Sequence, residues 1–516
     1  MLRNPLLKGF YPDPSICRVG DDFYMVTSSF SYFPGVPVFH SRDLVHWEQL
    51  GHCLDRPEQL PLDWQHISGG IYAPTIRWHD GLFYMVTTNV SHGGNFYVTA
   101  ADPAGPWSEP HYIRGAEGID PSFFWDEDGV CWMTATTDWA RHDPGVWVAQ
   151  LDLEKDCIVG EPVIAWRGAM VNAWAPEAPH LYKKGGWYYL MIAEGGTEEY
   201  HAVTMARSRS VTGPYEGYPG NPVLTHRHLG PDYPICNVGH GDLVQLQDGS
   251  WYIVALGSRL IGGHHKNMGR ETFIAPVDWS GEWPVVSPGT GRVEWAYPAP
   301  ALPPQPFPPA DHDDFRAPCW NTLGTPDADT LAIGNGTLTL RSGEDWLVPD
   351  DLPRRAAPNG CPGFYGRRQQ HMAFSAEVTV TAPETGEAGL MILQHGFNHL
   401  RVGMCRTEAG IVIRAVRSEK CGRPDYLNPR EYPRHVDVLW EGAAEGPAIR
   451  IGIAAQEQTH RLLVNGRSVA EADGSFLGSE TAGGFVGAYI GCFVSGQGAQ
   501  AQFTGFRYAG EEAHHE

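Results

Sequence analysis

Asp13-Pro-Ser-Ile-Cys-Arg-Val-Gly-Asp-Asp-Phe-Tyr-Met-Val-Thr27 reads as a short apolar strand, a Gly/Asp turn and an aromatic-rich strand, and it decides the fold because its outline returns four times. The second copy is Ala73-Pro-Thr-Ile-Arg-Trp-His-Asp-Gly-Leu-Phe-Tyr-Met-Val-Thr87. The third is Asp120-Pro-Ser-Phe-Phe-Trp125, then a turn at Asp126 to Gly129, then Val130-Cys-Trp-Met-Thr134. The fourth runs from Glu177 through Pro179-His-Leu-Tyr182 and Lys183-Lys-Gly-Gly186 to Trp187-Tyr-Tyr-Leu-Met191. The fifth starts near His240 with Gly-Asp-Leu-Val-Gln-Leu246 and ends in Trp251-Tyr-Ile-Val254. Each unit is a hairpin signal. The anchor positions 13, 73, 120, 177 and 240 are spaced about 47 to 63 residues apart, the size of a four-stranded propeller blade. Helical periodicity is scarce, so residues 1–297 are expected to form a five-bladed β-propeller.

Outward from these hairpins the pattern changes near residue 300. Residues 298–312 begin with a Pro-rich run, Pro298 to Pro309, which reads as a semi-rigid connector. From 313 to 508 alternating strands return without the blade repeat, as in His371-Met-Ala-Phe-Ser-Ala-Glu-Val-Thr-Val-Thr381, and Asn465-Gly466 is a two-residue hairpin turn. An all-β chain is therefore expected, with the propeller followed by a concanavalin-like β-sandwich and a short tail at 509–516.

Bulk numbers set the partners. Against 60 Asp and Glu there are 37 Lys and Arg, a net charge of −23, which argues against nucleic acid and anionic lipid. No apolar run reaches the roughly 18 to 20 residues of a membrane span. The 18 Trp, 21 Tyr and 20 Phe suit a carbohydrate partner, although core packing accounts for most aromatic rings in any globular chain. The ten cysteines form no C-x-x-C pair, and Cys17, Cys131 and Cys492 fall inside apolar strand patterns as reduced core residues. No basic-then-apolar leader precedes Gly9, so the expected location is cytoplasmic. Self-association is left open.

In a propeller, equivalent positions at the start of the innermost strands converge on one end of the axis. Here they bring Asp13, Ala73, Asp120, Glu177 and His240 into one funnel. A single Asp-Pro is ordinarily a turn residue; acids at three equivalent positions point to chemistry. Glycosidic hydrolysis needs two carboxyl groups flanking the bond, one protonated and one ionised. Glu177, among Trp174, Ala175, Pro176, Ala178 and Pro179, is the candidate general acid. Asp13 is the candidate base, and Asp120 the group that holds and tunes Glu177.

The chain resembles glycoside hydrolase family 43, in its two-domain β-xylosidase and α-L-arabinofuranosidase branch. The matching stretches are Asn4 to Ser15, Tyr32 to Trp47, Gly69 to Arg77, Gly118 to Phe124, Glu177 to Lys183, Gly269 to Thr272 and, in the second domain, Gly366 to His371. The resemblance implies an inverting, exo-acting enzyme that releases xylose from short xylo-oligosaccharides, with Asp13 as base, Asp120 as tuning acid and Glu177 as general acid. The nearest alternative makes arabinofuranose the main substrate, and a non-catalytic sugar-binding propeller is the alternative of another class. It further implies sugar contacts from Arg270 and Phe30, and from Tyr72, which stands where many relatives carry Trp. Trp139 is a weaker wall candidate. His240 matches an axial histidine beneath the sugar. No cofactor is required on this reading, and no metal ligand set is assigned. A cation near His240, were one present, would be Ca2+. His264-His265 reads as a rim loop, and Arg354-Arg355 and Arg367-Arg368 as clusters paired with local acids. Loops of the sandwich are implied to reach over the funnel and close it.

Overall fold

The computed structural model describes the chain except residues 63–66, 138–143, 172–173, 309–310, 344–345, 348–361, 421–433 and 512–516. Five four-stranded antiparallel sheets follow one another from Ser15 to Val286. Their first strands are Ser15–Val19, Thr75–His79, Ser122–Trp125, Glu177–Lys184 and Ile235–Gln245. Each pairs with the next strand across the Gly/Asp turn read from the sequence, as in Val19 with Asp22 and His79 with Leu82. The alternating pattern of these hairpins buries Phe23 and Met25 in one blade and Phe83 and Met85 in the next. The ring is closed by Leu2–Arg3, which pairs with Ala296–Tyr297. The Asn4 side chain fixes that seam, donating to the carbonyls of Ile274 and Glu294 at 2.8 Å each and accepting from the Ile274 amide at 2.9 Å.

The fifth anchor departs from the expectation. His240 lies inside its strand, which begins five residues earlier at Ile235. The ladder slips between Gly239 and Gly241, so His240 occupies a bulge that turns it toward the axis. A similar slip separates Glu177 from His180.

Among the described residues, 320–511 supply seven strands to each of two packed antiparallel sheets around one core that includes Leu338, Val378, Leu390, Ile453 and Phe503. The last strand, Ala499–Glu511, runs three residues into the stretch read as tail. The eight-stranded sheet takes its edge strand from the propeller: Tyr32–Phe33 pairs with Thr322 and Leu323. Arg368 crosses the same seam, giving a hydrogen bond to the Phe10 carbonyl at 2.6 Å and lying over the Tyr11 ring. Arg367 donates to the His312 carbonyl and to Gln370, with Asp313 3.6 Å away. Arg368 therefore ties the two domains together, held by one carbonyl, Asn321 and rings instead of the acid expected for it, whereas Arg367 stays within the linker and the sandwich, beside Asp313. Arg354-Arg355 lies outside the described residues.

Candidate active site

The anchors meet at one end of the propeller axis. Asp13, Asp120 and His240 all adopt left-handed backbone, with φ of 55°, 56° and 45°, a conformation that L-residues hold at a cost and that clusters at functional sites. Asp13 is buried. One of its oxygens accepts from Arg270 Nη1 at 2.9 Å and lies 3.6 Å from His240 Nδ1; the other accepts from the Ser28 hydroxyl. Asp120 is buried too, and its Oδ2 accepts from the Ala178 amide at 3.1 Å, which ties it to the segment carrying Glu177. Glu177 keeps part of its surface open to the funnel.

These environments give three carboxyls three titrations. Burial alone would raise Asp13, but Arg270 first, then His240 and the Ser28 hydrogen bond, hold it below its ordinary value. Burial, reinforced by the Asp13 charge, lifts Asp120 to about 7 against the opposing pull of the Ala178 amide and Arg270. Burial followed by the charges of Asp120 and Asp13 pushes Glu177 well up. An ionised Asp13 thus shares a pocket with Glu177, which retains its proton near neutral pH, and with Asp120, which titrates there and whose charge helps Glu177 keep that proton; this is the equipment for acid–base cleavage of a glycosidic bond. His240 is held neutral, chiefly by burial and partly by Arg270.

Arg270 follows directly on Gly269, whose place a larger residue could not take. A Cβ there would come within 2.8 Å of the Gly487 backbone of the sandwich. Besides Asp13, Arg270 donates to Thr197 Oγ1 at 2.9 Å and to the Phe485 carbonyl at 3.2 Å. Its Nε is buried without a partner among the described residues, a donor aimed at nothing the protein supplies. Arg270 is not drawn to the neighbouring Glu271, because Glu271 is taken by Arg259 and the Gly9 amide. Phe30, buried, faces the guanidinium at 5.6 Å and the Tyr72 ring at 5.2 Å. Burial raises the Tyr72 hydroxyl to about 12; Arg270 opposes this and Asp120, Asp13 and Glu177 all add to it, so Tyr72 stands among the three acids.

Three features escape the sequence reading. Phe485, from the sandwich, lies 6.1 Å from Phe30, 6.2 Å from Tyr72 and 5.7 Å from the Arg270 guanidinium. Its amide is fixed by the Ser68 hydroxyl at 2.8 Å. His201 is buried with its Nδ1 3.0 Å from the Asn237 carbonyl and its Nε2 unpartnered among the described residues. Below the anchors, Asp242 binds Arg77 through both oxygens, at 2.8 and 3.1 Å, and accepts from Ser15 and Tyr182. Ser122 and His180 continue this contact at 3.2 Å, so side chains from all five blades meet on the axis. Ser15, Ser122 and Asp242 each stand two residues after an anchor, the strand period that returns a side chain to the same face.

Among the described residues no group of three or more His, Cys, Asp or Glu could hold a metal ion. A Ca2+ ion beside His240 finds no support, since both oxygens of the Asp13 carboxylate facing it are engaged by Arg270 and Ser28. His264 faces Asp232 at 3.5 Å and His265 faces Glu480 of the sandwich at 2.9 Å. Trp139 lies outside the described residues.

A propeller funnel that sets an ionised carboxylate opposite a protonated one, with a third acid between them in titration, is that of a glycoside hydrolase. The family comparison narrows the class: residues 2–284 match glycosyl hydrolases family 43, and residues 312–509 match the β-xylosidase C-terminal concanavalin A-like domain. The chain belongs to glycosyl hydrolase family 43, an inverting family. It is 42% identical to a xylosidase/arabinosidase of Butyrivibrio fibrisolvens over 96% of each chain. It is 37% identical to a non-reducing end α-L-arabinofuranosidase of Bacteroides ovatus, covering 96% of this chain and 92% of that one. The crystal structure of a xylan β-1,4-xylosidase from Bacillus halodurans superposes with a TM-score of 0.87 at 32% identity, over 98% of this chain and all of that one.

Proposed function

We propose that the protein is an exo-acting β-xylosidase that removes xylose from the non-reducing end of short xylo-oligosaccharides with inversion. Asp13 takes a proton from a water, which forms the new bond to the anomeric carbon. Glu177 delivers its proton to the glycosidic oxygen as that bond breaks, and Asp120 holds the Glu177 segment and keeps its carboxyl protonated. Inversion needs room for that water, roughly 6.5–9.5 Å between base and acid. The observation that carries the reading is the split titration of the three acids, with Asp13 alone clamped by Arg270. Phe485 reaching the funnel from the sandwich supports an exo action, because a pocket walled at its far end accepts a chain terminus. The eight described cysteines are all free thiols, which supports a reducing, cytoplasmic setting that cell fractionation would test.

Tyr72 favours a second reading, arabinofuranose as main substrate, since a phenol in place of the relatives' indole reshapes the wall beside Phe30. The deciding measurement is kcat/KM on 4-nitrophenyl β-D-xylopyranoside and 4-nitrophenyl α-L-arabinofuranoside with one preparation. A clear excess for the xyloside is expected; a clear excess for the arabinofuranoside reassigns the substrate. Glu177→Ala tests the acid. Its loss is expected to be steep on xylobiose and small on the nitrophenyl glycoside, whose leaving group needs little protonation. Equal losses would remove Glu177 from that role.

A further inference from the structure

His201 is buried and takes no part in the chemistry above. It ends the stretch 195–201 that joins two strands of the fourth blade, Trp187–Glu194 and Ala202–Ser208. The same stretch carries Thr197, which receives Arg270 Nη1. Its backbone is fixed twice: the His201 amide donates to the Glu198 carbonyl at 3.0 Å, and its carbonyl accepts from the Thr225 hydroxyl at 2.7 Å. The ring lies across the irregular part of the fifth blade. There the ladder slips between Cys236 and Gly239 and again between Gly239 and Gly241. Asn237 and His240 both take left-handed backbone, with φ of 60° and 45°. His201 Nδ1 donates to the Asn237 carbonyl at 3.0 Å. A carbonyl only accepts, so Nδ1 carries the proton and the ring is neutral, in keeping with burial, which pushes it down to about 3.

Gly239 lies against the same ring. A Cβ there would stand 2.4 Å from His201 Cγ and 2.5 Å from both Cδ2 and Cε1. Gly239 is outside the left-handed region, so glycine is needed at this position for room and not for conformation. The next residue is His240, whose Nδ1 lies 3.6 Å from Asp13 Oδ1. The bland role for His201 is a core histidine that satisfies one carbonyl of a bulge. That explains the bond to Asn237 and leaves the glycine unexplained, since a smaller side chain at 201 would admit an ordinary residue at 239. We propose that His201 is a positioning residue of the active site, clamping 237–239 so that the bulge presents His240 to Asp13. This role is the same whichever pentose the enzyme releases, and so does not depend on the xylosidase reading.

The test is a cycle of kcat/KM values for the wild type, His201→Leu, His240→Ala and the double variant, with His201→Gln beside them. The substrate is whichever of the two nitrophenyl glycosides the wild type cleaves faster. His201→Leu keeps an apolar filling and removes the donor to Asn237; a misplacement of up to 1 Å at the reacting centre makes the expected loss roughly ten- to 100-fold. His201→Gln, whose amide can donate to the same carbonyl, should recover most of it. With His240 already removed, His201→Leu should cost less than about two-fold more, because the two residues act as one unit. A histidine that only stabilises the fold would lower the melting temperature and leave kcat/KM of the folded enzyme unchanged. That result, or an equal loss with and without His240, would overturn the proposal. Should His201→Leu fail to fold, His201→Asn, too short to reach the carbonyl, replaces it. Should His240→Ala turn over too slowly to measure, the same cycle is run on the Kd of the released pentose by calorimetry, with the same outcomes deciding.

Discussion

Replacing Arg270 with Met removes the guanidinium that faces Asp13 while nearly keeping the side-chain volume. The variant loses the 2.9 Å bond to Asp13, the bonds to Thr197 and the Phe485 carbonyl, and the unpartnered Nε. Leaving a buried carboxylate without its partner costs about 3–5 kcal/mol. At roughly 2 °C per kcal/mol for a domain of this size, the melting temperature at pH 7 should fall by about 6–10 °C. The sign follows from the titration. Asp13 is held below its ordinary 3.8, so in the wild type its contribution is present above that value and is lost as pH falls through the lower folded one. The gap in melting temperature between wild type and variant should therefore be widest near neutral pH and narrow as pH drops below about 4. In activity, one lost charged hydrogen bond to a sugar hydroxyl is worth about 1.5–3 kcal/mol, or roughly ten- to 150-fold in kcat/KM. Thermal unfolding across pH 3.5–8 and initial rates on the xyloside read both effects. A melting gap of the same size at every pH would refute the electrostatic account and leave only a packing loss.

Asp120→Asn should move the alkaline limb of the kcat/KM profile to lower pH, because burial and then the Asp120 charge raise Glu177, and the amide removes the second of these; a limb that stays or moves up would contradict the coupling. Arg77→Met strands Asp242, which is fully buried and held low by Arg77, and should cost about 3–5 kcal/mol of stability while leaving the acids in place. Calorimetry reads that loss, and an unchanged melting temperature would mean the axial contacts contribute nothing.

The propeller was legible because its hairpins repeat: a Gly/Asp turn between two apolar strands recurs at blade spacing, and the five sheets follow it. Asp13, Asp120 and Glu177 converge for the same reason, since equivalent strand starts must meet on the axis. The anchor at His240 was placed correctly on the axis and wrongly at a strand start, because a bulge between Gly239 and Gly241 has no signature beyond its glycines. The Asp242–Arg77 contact left a signal that went unread, the polar residues two positions past the anchors. Phe485 left none. It meets Arg270 across 215 residues of chain, and an aromatic in a glycine-rich loop announces neither its domain neighbour nor its ring partners.

Burial raises all three acids, so burial does not by itself assign their roles. What separates them is the placement of a single guanidinium, 2.9 Å from Asp13 and acting on Asp120 and Glu177 only as a weaker opposing charge. That placement is shared property: blade one supplies Asp13, blade four Thr197, blade five Arg270 itself, and the sandwich the Phe485 carbonyl. The sandwich therefore does more than wall the funnel. By holding Nη2 it helps aim Nη1 at Asp13, and a shift of the 484–487 loop would loosen the clamp that keeps this carboxylate ionised beside a protonated Glu177.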